Sequence, residues 1–160
     1  MQNTQVRNDL SQNAPFSKSP AVAAPSAATR EELEAIIEKT PFAMLMGAKI
    51  TEYGHGKVEL SVLVKEQLLM HHRFVHGAVV GFLADSACAW AAASLVGDVV
   101  TSEYKLNLMA PATGVKLLGR GEVIKVIGRQ ATCRADVYSE RDGTERMVAT
   151  ALATVVRLKS

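Results

Sequence analysis

The sequence predicts one α+β domain in which an antiparallel sheet surrounds a single long helix. The 19 residues from Ala78 to Val96 include seven alanines and carry one charge, on Asp85. A helix that is apolar on nearly every side must be enclosed by protein. The segment Lys57–Val64 alternates apolar and polar side chains, which is the pattern of a half-buried strand. Segments of strand character joined by turns follow the long helix, so the sheet is expected to be antiparallel.

The elements before the long helix are predicted from capping residues and turns. Thr29 is the predicted N-cap of a first helix, with Leu33, Ile36 and Ile37 at helical spacing behind it. This helix should stop before Pro41, which has no N–H to donate. The next segments are an apolar stretch Phe42–Met46 ended by Gly47, a strand Ala48–Tyr53, a turn containing Gly54 and Gly56, the alternating strand Lys57–Val64 and a loop Lys65–Val75.

The rest of the chain is predicted as the long helix and four strands. The helix runs from His76 to about Leu95, and the strands are Val99–Met109, Val115–Ile127, Ala131–Tyr138 and Met147–Leu158. Asp142–Gly143 is a strong signal for a tight hairpin before the last strand. Gly119 and Gly121 predict a bulge or a bend inside the second of these strands.

Composition separates the N-terminal segment from the domain and excludes several classes of protein. Residues 1–29 hold three of the five prolines and show no apolar period, which predicts a disordered tail before a domain at residues 30–160. Apolar residues make up 48% of the chain, enough for a sizeable core. A net charge of +2 is too small to predict nucleic-acid binding. A membrane span is disfavoured because alanine is a weak driver of insertion and the neighbouring strands are amphipathic.

The cysteines and histidines do not form a metal-binding pattern. Cys88 and Cys133 have a spacing that supports neither a zinc site nor a disulfide framework, so they are expected to be reduced thiols of a cytoplasmic protein. His71, His72 and His76 lie close together in the sequence but lack a second ligand cluster with zinc-like spacing. No metal is therefore expected.

Asp85 is the strongest functional signal in the sequence. It is a single carboxylate inside an alanine-rich apolar helix. An unpaired buried carboxylate is costly, so such a group is normally paired, protonated or functional. A structural aspartate bonded to a neighbouring strand is the alternative interpretation.

Motifs around Asp85 resemble those of the phenylacetate-type (PaaI-like) acyl-CoA thioesterases. His76-Gly77-Ala78 followed by Leu83-Ala84-Asp85-Ser86-Ala87 is similar to the family signature HGG…LaDtA, with the aspartate nine residues after the histidine. The segment from Thr101 to Ala112 is similar to the next strand of that family, which ends in a Pro-Ala turn, and Gly114 and Gly128-Arg129 also match family positions. The resemblance extends from about Phe42 to Val156.

The resemblance implies a hotdog fold and hydrolysis of an acyl- or aryl-CoA thioester to a free acid and coenzyme A. No dissociable cofactor is implied, because coenzyme A is part of the substrate. The backbone N–H of Gly77 would polarise the thioester carbonyl, and Asp85 would be the general base or nucleophile. Thr101 falls where relatives carry a hydroxyl that is thought to position water. His76 opens the signature and is counted with this catalytic set.

The chemistry of the expected site suits a helix N-terminus. Such an end presents unpaired N–H groups and the positive end of the helix dipole to a developing oxyanion, and Gly77 leaves the approach open. The alternative is that His76 and Gly77 only begin a helix. Ala78 replaces the second glycine of the family motif, which adds a methyl group beside the carbonyl site. His71 or His72 would take the place of the Asn or Gln that relatives carry before the motif.

The charge of the chain is uneven in a way that suits a phosphorylated ligand. Residues 105–160 hold ten Lys and Arg against five Asp and Glu. A basic C-terminal half fits the phosphates of coenzyme A. The candidate contacts are Arg120, Arg129 and Arg134, with ordinary solvated strand faces as the alternative.

The spacing of the two key residues predicts a dimer. Gly77 and Asp85 are eight residues apart, about 12 Å along one helix, so one thioester carbon cannot touch both. Two antiparallel helices related by a two-fold axis would bring Gly77 of one subunit to Asp85 of the other, which predicts a homodimer with shared active sites.

The identity of the acyl group and the pairing of dimers into a tetramer stay open. The rival functions are a non-catalytic acyl-CoA-binding module and a hotdog hydratase or dehydratase, which would need an Asp/His pair across subunits.

Overall fold

A six-stranded antiparallel sheet curves around one long helix in the computed structural model of the chain, which describes residues 27–159. The elements are α1 (Arg30–Lys39), α2 (Pro41–Met46), β1 (Lys49–Gly54), β2 (Lys57–Leu63), a 3₁₀ helix (Glu66–Leu68), α3 (Gly77–Val96), β3 (Val99–Leu108), β4 (Lys116–Ile127), β5 (Gln130–Arg141) and β6 (Thr144–Arg157). The predicted α+β class and hotdog architecture are confirmed. Of the predicted tail, residues 1–26 lie outside the described residues, as does Ser160 of the predicted domain. Within the described part, the Ala28 N–H donates to the Ala93 carbonyl of α3 at 3.0 Å.

The strands follow the order β1-β2-β4-β5-β6-β3, and every neighbouring pair is antiparallel. β3 leaves the end of α3 and joins the sheet beside β6, so it forms one edge and β1 forms the other. The predicted hairpin between β5 and β6 turns at Asp142 and Gly143, whose φ angles are +53° and +75°. Two positive φ values in succession are what a two-residue hairpin turn requires.

Helix α1 begins and ends as its sequence predicts. The Thr29 hydroxyl accepts from the Glu32 N–H at 3.2 Å, and the Glu32 carboxylate accepts from the Thr29 N–H at 2.8 Å, which is a complete capping box. Leu33 and Ile37 bury their side chains against the rest of the domain. Pro41 then starts α2 at a position where no N–H is needed.

Helix α3 is the core of the fold. Its length would suit a membrane span, and so would the mean hydropathy of 1.7 over its most apolar 18-residue stretch. However, 67% of that stretch is buried inside the domain. It packs against β2, β3, β4, β5 and β6, which together cover most of its circumference. The apolar character of α3 is therefore explained by the surrounding sheet.

The two glycines inside β4 have a different role from the predicted bulge. β4 keeps regular pairing with both neighbours through Gly119 and Gly121, and the register shift with β5 lies later, between Val123 and Lys125. A Cβ at Gly121 would overlap the carbonyl oxygen of Ala87 in α3. The predicted bulge at these positions is wrong, because the glycines are there to let the helix backbone approach the strand.

Candidate active site

Asp85 lies in the middle of α3 with an unpaired oxygen. Its Oδ1 atom is buried and accepts no hydrogen bond from any residue between 27 and 159. The residue as a whole is only partly buried, so the carboxylate lies at the margin of the core. A structural aspartate bonded to a strand would have a partner for this atom. The unpaired oxygen therefore favours a functional role for Asp85.

One narrow face of α3 is left incompletely covered, and Asp85 is part of it. Ala78, Phe82, Asp85 and Ala89 follow one another at intervals of three or four residues, and none of them is fully buried. We call these four residues the open stripe. Phe82 is partly covered by Phe42 of α2, in an edge-to-face contact with ring centroids 5.3 Å apart. The open stripe places Asp85 at the edge of the part of α3 that the sheet covers.

The Gly77 amide, in the first turn of α3, has no hydrogen-bond partner in the described part of the chain. Nδ1 of His76, the N-cap, accepts from the Ala78 N–H at 3.0 Å, and the His76 carbonyl accepts from the Val79 N–H at 2.9 Å. The Gly77 N–H has no such partner within residues 27–159, so the positive end of the helix dipole is presented there. His76 thus acts as a cap, and the amide of Ala78 is occupied by it. The Gly77 amide remains available to a ligand.

A cavity of about 470 Å³ opens beside Gly77. Its lining is apolar apart from His76 and comes from the loop before α3, the first turns of α3 and the connection after β3: Met70, Phe74, Val75, His76, Gly77, Val80, Leu108, Met109, Ala110, Pro111 and Ala112. A cavity of this size and polarity suits an apolar acyl group next to the free amide.

Neither His71 nor His72 lines this cavity. An isolated bridge between Leu69 and Val75 closes residues 70–74 into a tight loop, and both histidines are exposed at its tip with ring centroids 3.9 Å apart. Met70 lies at the base of the loop and lines the cavity instead. Sequence reasoning missed Met70, because only the loop closure decides which side chains of this stretch turn inward.

Thr101 lies on the face of β3 that looks toward α3. It pairs with Val155, which is fully buried in the core, and cross-strand partners share a face. β3 runs antiparallel to α3, since Leu108 lies beside Gly77 and Tyr104 beside Gly81. Thr101 therefore lies further along, level with the part of α3 that follows Gly81.

The three candidate arginines lie in two separate places, with Arg120 and Arg134 lining one cavity and Arg129 outside it. Arg120 alternates with Gly119 and Gly121, which face α3, so its side chain lies on the outer face of the sheet. There it donates to Glu59 at 2.6 Å and to Glu145 at 2.7 and 2.8 Å. These hydrogen bonds, first to Glu145 and then to Glu59, hold the pKa of Arg120 above its ordinary value. Arg120 is thus committed to the outer face of the domain.

Arg134 is a neighbour of Arg120, whereas Arg129 lies apart from both. Arg134 shares the outer face and lies 3.8 Å from the Glu122 carboxylate and 3.6 Å from that of Asp136. Arg129 lies at the β4–β5 turn, where its guanidinium donates to the Arg157 carbonyl at 2.7 Å. No carboxylate pairs with Arg129 among the residues that the structure describes. Arg129 is the one candidate whose charge is left for another ligand.

The two thiols are packing groups. Burial raises the pKa of the Cys88 thiol to about 12 and that of Cys133 to about 11. A neutral buried thiol is a poor nucleophile. Residues 27–159 contain no group of three His, Cys, Asp or Glu side chains that could hold a metal ion.

The site lies inside a segment that is similar to a known family of proteins. Residues 72–145 match the thioesterase superfamily, and this span contains the first turn of α3, Asp85 and Thr101. No curated protein matches the chain.

Similarity to solved structures identifies the family and the fold of the chain. A thioesterase family protein from Silicibacter pomeroyi is 34% identical with a TM-score of 0.77, over 80% of this chain and 96% of that one. A mutant of the phenylacetic acid degradation protein PaaI from Thermus thermophilus is 28% identical with a TM-score of 0.67, over 74% and 100% of the two chains. The E. coli PaaI protein from the phenylacetic acid degradation operon has a TM-score of 0.73 at 20% identity, over 81% and 93%, and bears on the fold. The chain belongs to the thioesterase superfamily and is a thioester hydrolase with the hotdog fold.

Proposed function

We propose that the chain hydrolyses an acyl-CoA thioester to a free acid and coenzyme A. Asp85 is the general base or nucleophile, and the Gly77 N–H polarises the thioester carbonyl. The observation that carries this proposal is the buried Oδ1 atom of Asp85, which has no partner in the described chain and lies on the open stripe. An unpaired carboxylate at the core margin is costly to the fold, and a catalytic role accounts for it.

The carbonyl oxygen is stabilised at the first turn of α3. The unpaired Gly77 N–H and the helix dipole both favour negative charge at the oxygen as the tetrahedral intermediate forms. His76 supports this arrangement indirectly, since its Nδ1 holds the Ala78 amide and so defines the first turn. The acyl group occupies the apolar cavity beside Gly77, and the Thr101 hydroxyl positions the water.

The reaction requires two subunits at each site. The separation of about 12 Å between Gly77 and Asp85 along α3 is too large for one thioester carbon. β3 supports a dimer because its outer edge is unpaired in the described chain, and Val100, Tyr104 and Leu108 on this strand are exposed. In the homodimer the two α3 helices run antiparallel, with the Gly77 amide of one subunit facing the Asp85 carboxylate of the other. This geometry does not require dimers to pair further.

Arg129 supplies a phosphate contact for coenzyme A. In an antiparallel dimer the N-terminus of one α3 lies toward the C-terminal end of the other, and the β4–β5 turn is at that end of the sheet. Arg129 carries no carboxylate partner there, whereas Arg120 and Arg134 are held in ion pairs on the outer face.

The buried free thiols of Cys88 and Cys133 are consistent with an enzyme that acts in the reducing cytoplasm.

The two rival functions have less support. A hydratase or dehydratase needs a carboxylate and an imidazole base at one substrate carbon. Nδ1 of His76 accepts a hydrogen bond as the helix cap, so the neutral ring carries its proton on Nε2 and has no free lone pair to act as that base. A module that only binds acyl-CoA would have no use for the unpaired Asp85 carboxylate, which lowers the stability of the fold.

The proposal is tested with a panel of aliphatic, benzoyl and phenylacetyl CoA thioesters, with release of free thiol as the readout. At least one should be hydrolysed, and Asp85→Asn should lower kcat about 10²–10⁴-fold on it. Asp98→Asn, at an exposed acid just after α3, is the matched control. A folded Asp85→Asn protein that keeps more than about a tenth of wild-type turnover would remove Asp85 from the chemistry.

A further inference from the structure

We infer that Tyr104 is a positioning residue whose hydroxyl holds the Asp85 carboxylate during catalysis. This inference rests on the proposed catalytic role of Asp85. Tyr104 pairs with the buried Ala153, so its ring lies on the face of β3 that looks toward α3. Its hydroxyl oxygen is 3.2 Å from the point where a Cβ of Gly81 would be. The phenol therefore rests against α3 at Gly81, one turn before Asp85.

The Asp85 carboxylate is within reach of that hydroxyl. Side chains one turn apart on a helix have Cβ atoms about 5–6 Å apart, and each leans back toward the N-terminus. The carboxylate of Asp85 thus leans toward Gly81 and the Tyr104 hydroxyl. Oδ1 has no partner in the structure, so the bond is not formed in the single subunit.

The Tyr104 hydroxyl is also available as a donor. The hydroxyl of Tyr53 donates to the Ala28 carbonyl, and the ring of Tyr138 lies under the Arg120 guanidinium on the outer face. Tyr104 makes neither kind of contact within residues 27–159, and 43% of its surface is exposed. Its position on the edge strand β3 leaves it at the face where the second subunit would pack.

Gly81 is the residue that makes room for this arrangement. It lies midway between Gly77 and Asp85 on α3, which is the crossing point of the two helices in the proposed dimer. A Cβ there would meet the Tyr104 hydroxyl at 3.2 Å and Leu106 at 3.6 Å, so the first contact is the tight one. Gly81→Ala should push the phenol away from Asp85 and leave the core in place.

The proposed hydrogen bond from Tyr104 to Asp85 predicts a specific change in the kinetic constants. Tyr104→Phe removes one hydroxyl and keeps the ring, so the fold should be retained. A hydrogen bond to a charged group that is present during reaction should be worth about a tenfold change in kcat, with KM within about twofold. Gly81→Ala should reproduce this loss, and adding it to Tyr104→Phe should cost little more, because both remove the same contact.

The experiment measures kcat and KM for wild type, Tyr104→Phe, Gly81→Ala and the double variant on the substrate identified by the CoA panel. Tyr138→Phe is the matched control, and dimer content and Tm are compared for all. The inference stands if kcat falls in both single variants and the losses do not add. It is overturned if Tyr104→Phe keeps wild-type kcat, if KM alone rises, or if the losses add fully. Asp85→Asn, assayed alongside, shows separately whether the proposed function has failed.

Discussion

Gly121 of β4 and Ala87 of α3 meet backbone to backbone, so closely that a Cβ on the glycine would overlap the alanine carbonyl oxygen. Two neighbours, Ala135 on β5 and Val58 on β2, pair with Gly121 and are themselves buried. The contact sets how near α3 can lie to the middle of the sheet. It also sets the depth at which Asp85, two residues earlier on the same helix, is held.

This contact predicts a large stability effect. Gly121→Ala should destabilise the protein by about 1–3 kcal/mol or more, because neither backbone can move aside cheaply. Gly54→Ala is the control, since its Cβ would have the Lys57 carbonyl oxygen at 3.8 Å as its nearest neighbour. Thermal unfolding of both variants measures the difference. Equal Tm values for the two would show that the sheet and helix are not in close contact.

Active-site sharing can be tested by complementation. Asp85→Asn and Gly77→Val should each be nearly inactive as homodimers, the second because its side chain blocks the carbonyl site and crowds Leu108, 3.1 Å from the Cβ position. Co-refolded, half of the molecules should be heterodimers with one intact site of two, which gives about a quarter of wild-type activity. Subunit exchange is checked by native mass spectrometry. Complete exchange without recovered activity would place both residues in one chain's site or exclude one of them.

Thr101→Ala tests the position of the attacking water. Because Thr101 lies on the inner face of β3 and the proposed role is orientation rather than binding, kcat should fall more than KM rises. Ser102→Ala is a suitable comparison, since its hydroxyl donates to the Thr154 carbonyl at 3.1 Å. A rise in KM with unchanged kcat would assign Thr101 to binding.

A substrate without phosphates distinguishes the proposed role of Arg129 from that of Arg120. Arg129→Ala should raise KM for acyl-CoA about tenfold and leave KM for the matching acyl-pantetheine unchanged, because only coenzyme A carries the phosphates. Arg120→Ala should leave both KM values unchanged and lower Tm, because it removes the charged partner of the buried Glu59 and leaves that carboxylate with the Thr51 hydroxyl. Equal effects of Arg129→Ala on both substrates would contradict the phosphate contact.

The buried thiols predict a loss of stability at alkaline pH. The folded-state pKa values of Cys88 and Cys133, about 12 and 11, lie above the ordinary value of 9.0, so above pH 9 the unfolded chain releases these protons first. The contribution of the two thiols to the free energy of unfolding is constant below about pH 9. It is lost as the pH rises through the folded-state pKa values, at no more than about 1.4 kcal/mol per pH unit for each thiol. Urea unfolding at pH 8 and pH 10 measures the loss. The Cys88→Ala, Cys133→Ala double variant should lose less over the same interval.

Local patterns determined most of the elements and one functional residue. The capping box at Thr29, the alternation in β2 and the Asp142–Gly143 turn act over a few residues, so each is visible in the sequence. Asp85 was identifiable because a single charge in an apolar helix conflicts with its own surroundings. The match to thioesterase motifs likewise depends on residues close together in the chain.

Only the tertiary structure decided matters that depend on contacts between distant segments. The closure of loop 70–74 between Leu69 and Val75 turns Met70 into the cavity and His71 and His72 outward. The approach of α3 to β4 explains the glycines that a strand pattern interprets as a bulge, and the order of strands leaves β3 at an edge with Tyr104 facing Gly81. The physical reason is the same in each case: local propensity acts within a few residues, whereas packing partners are chosen by the chain as a whole.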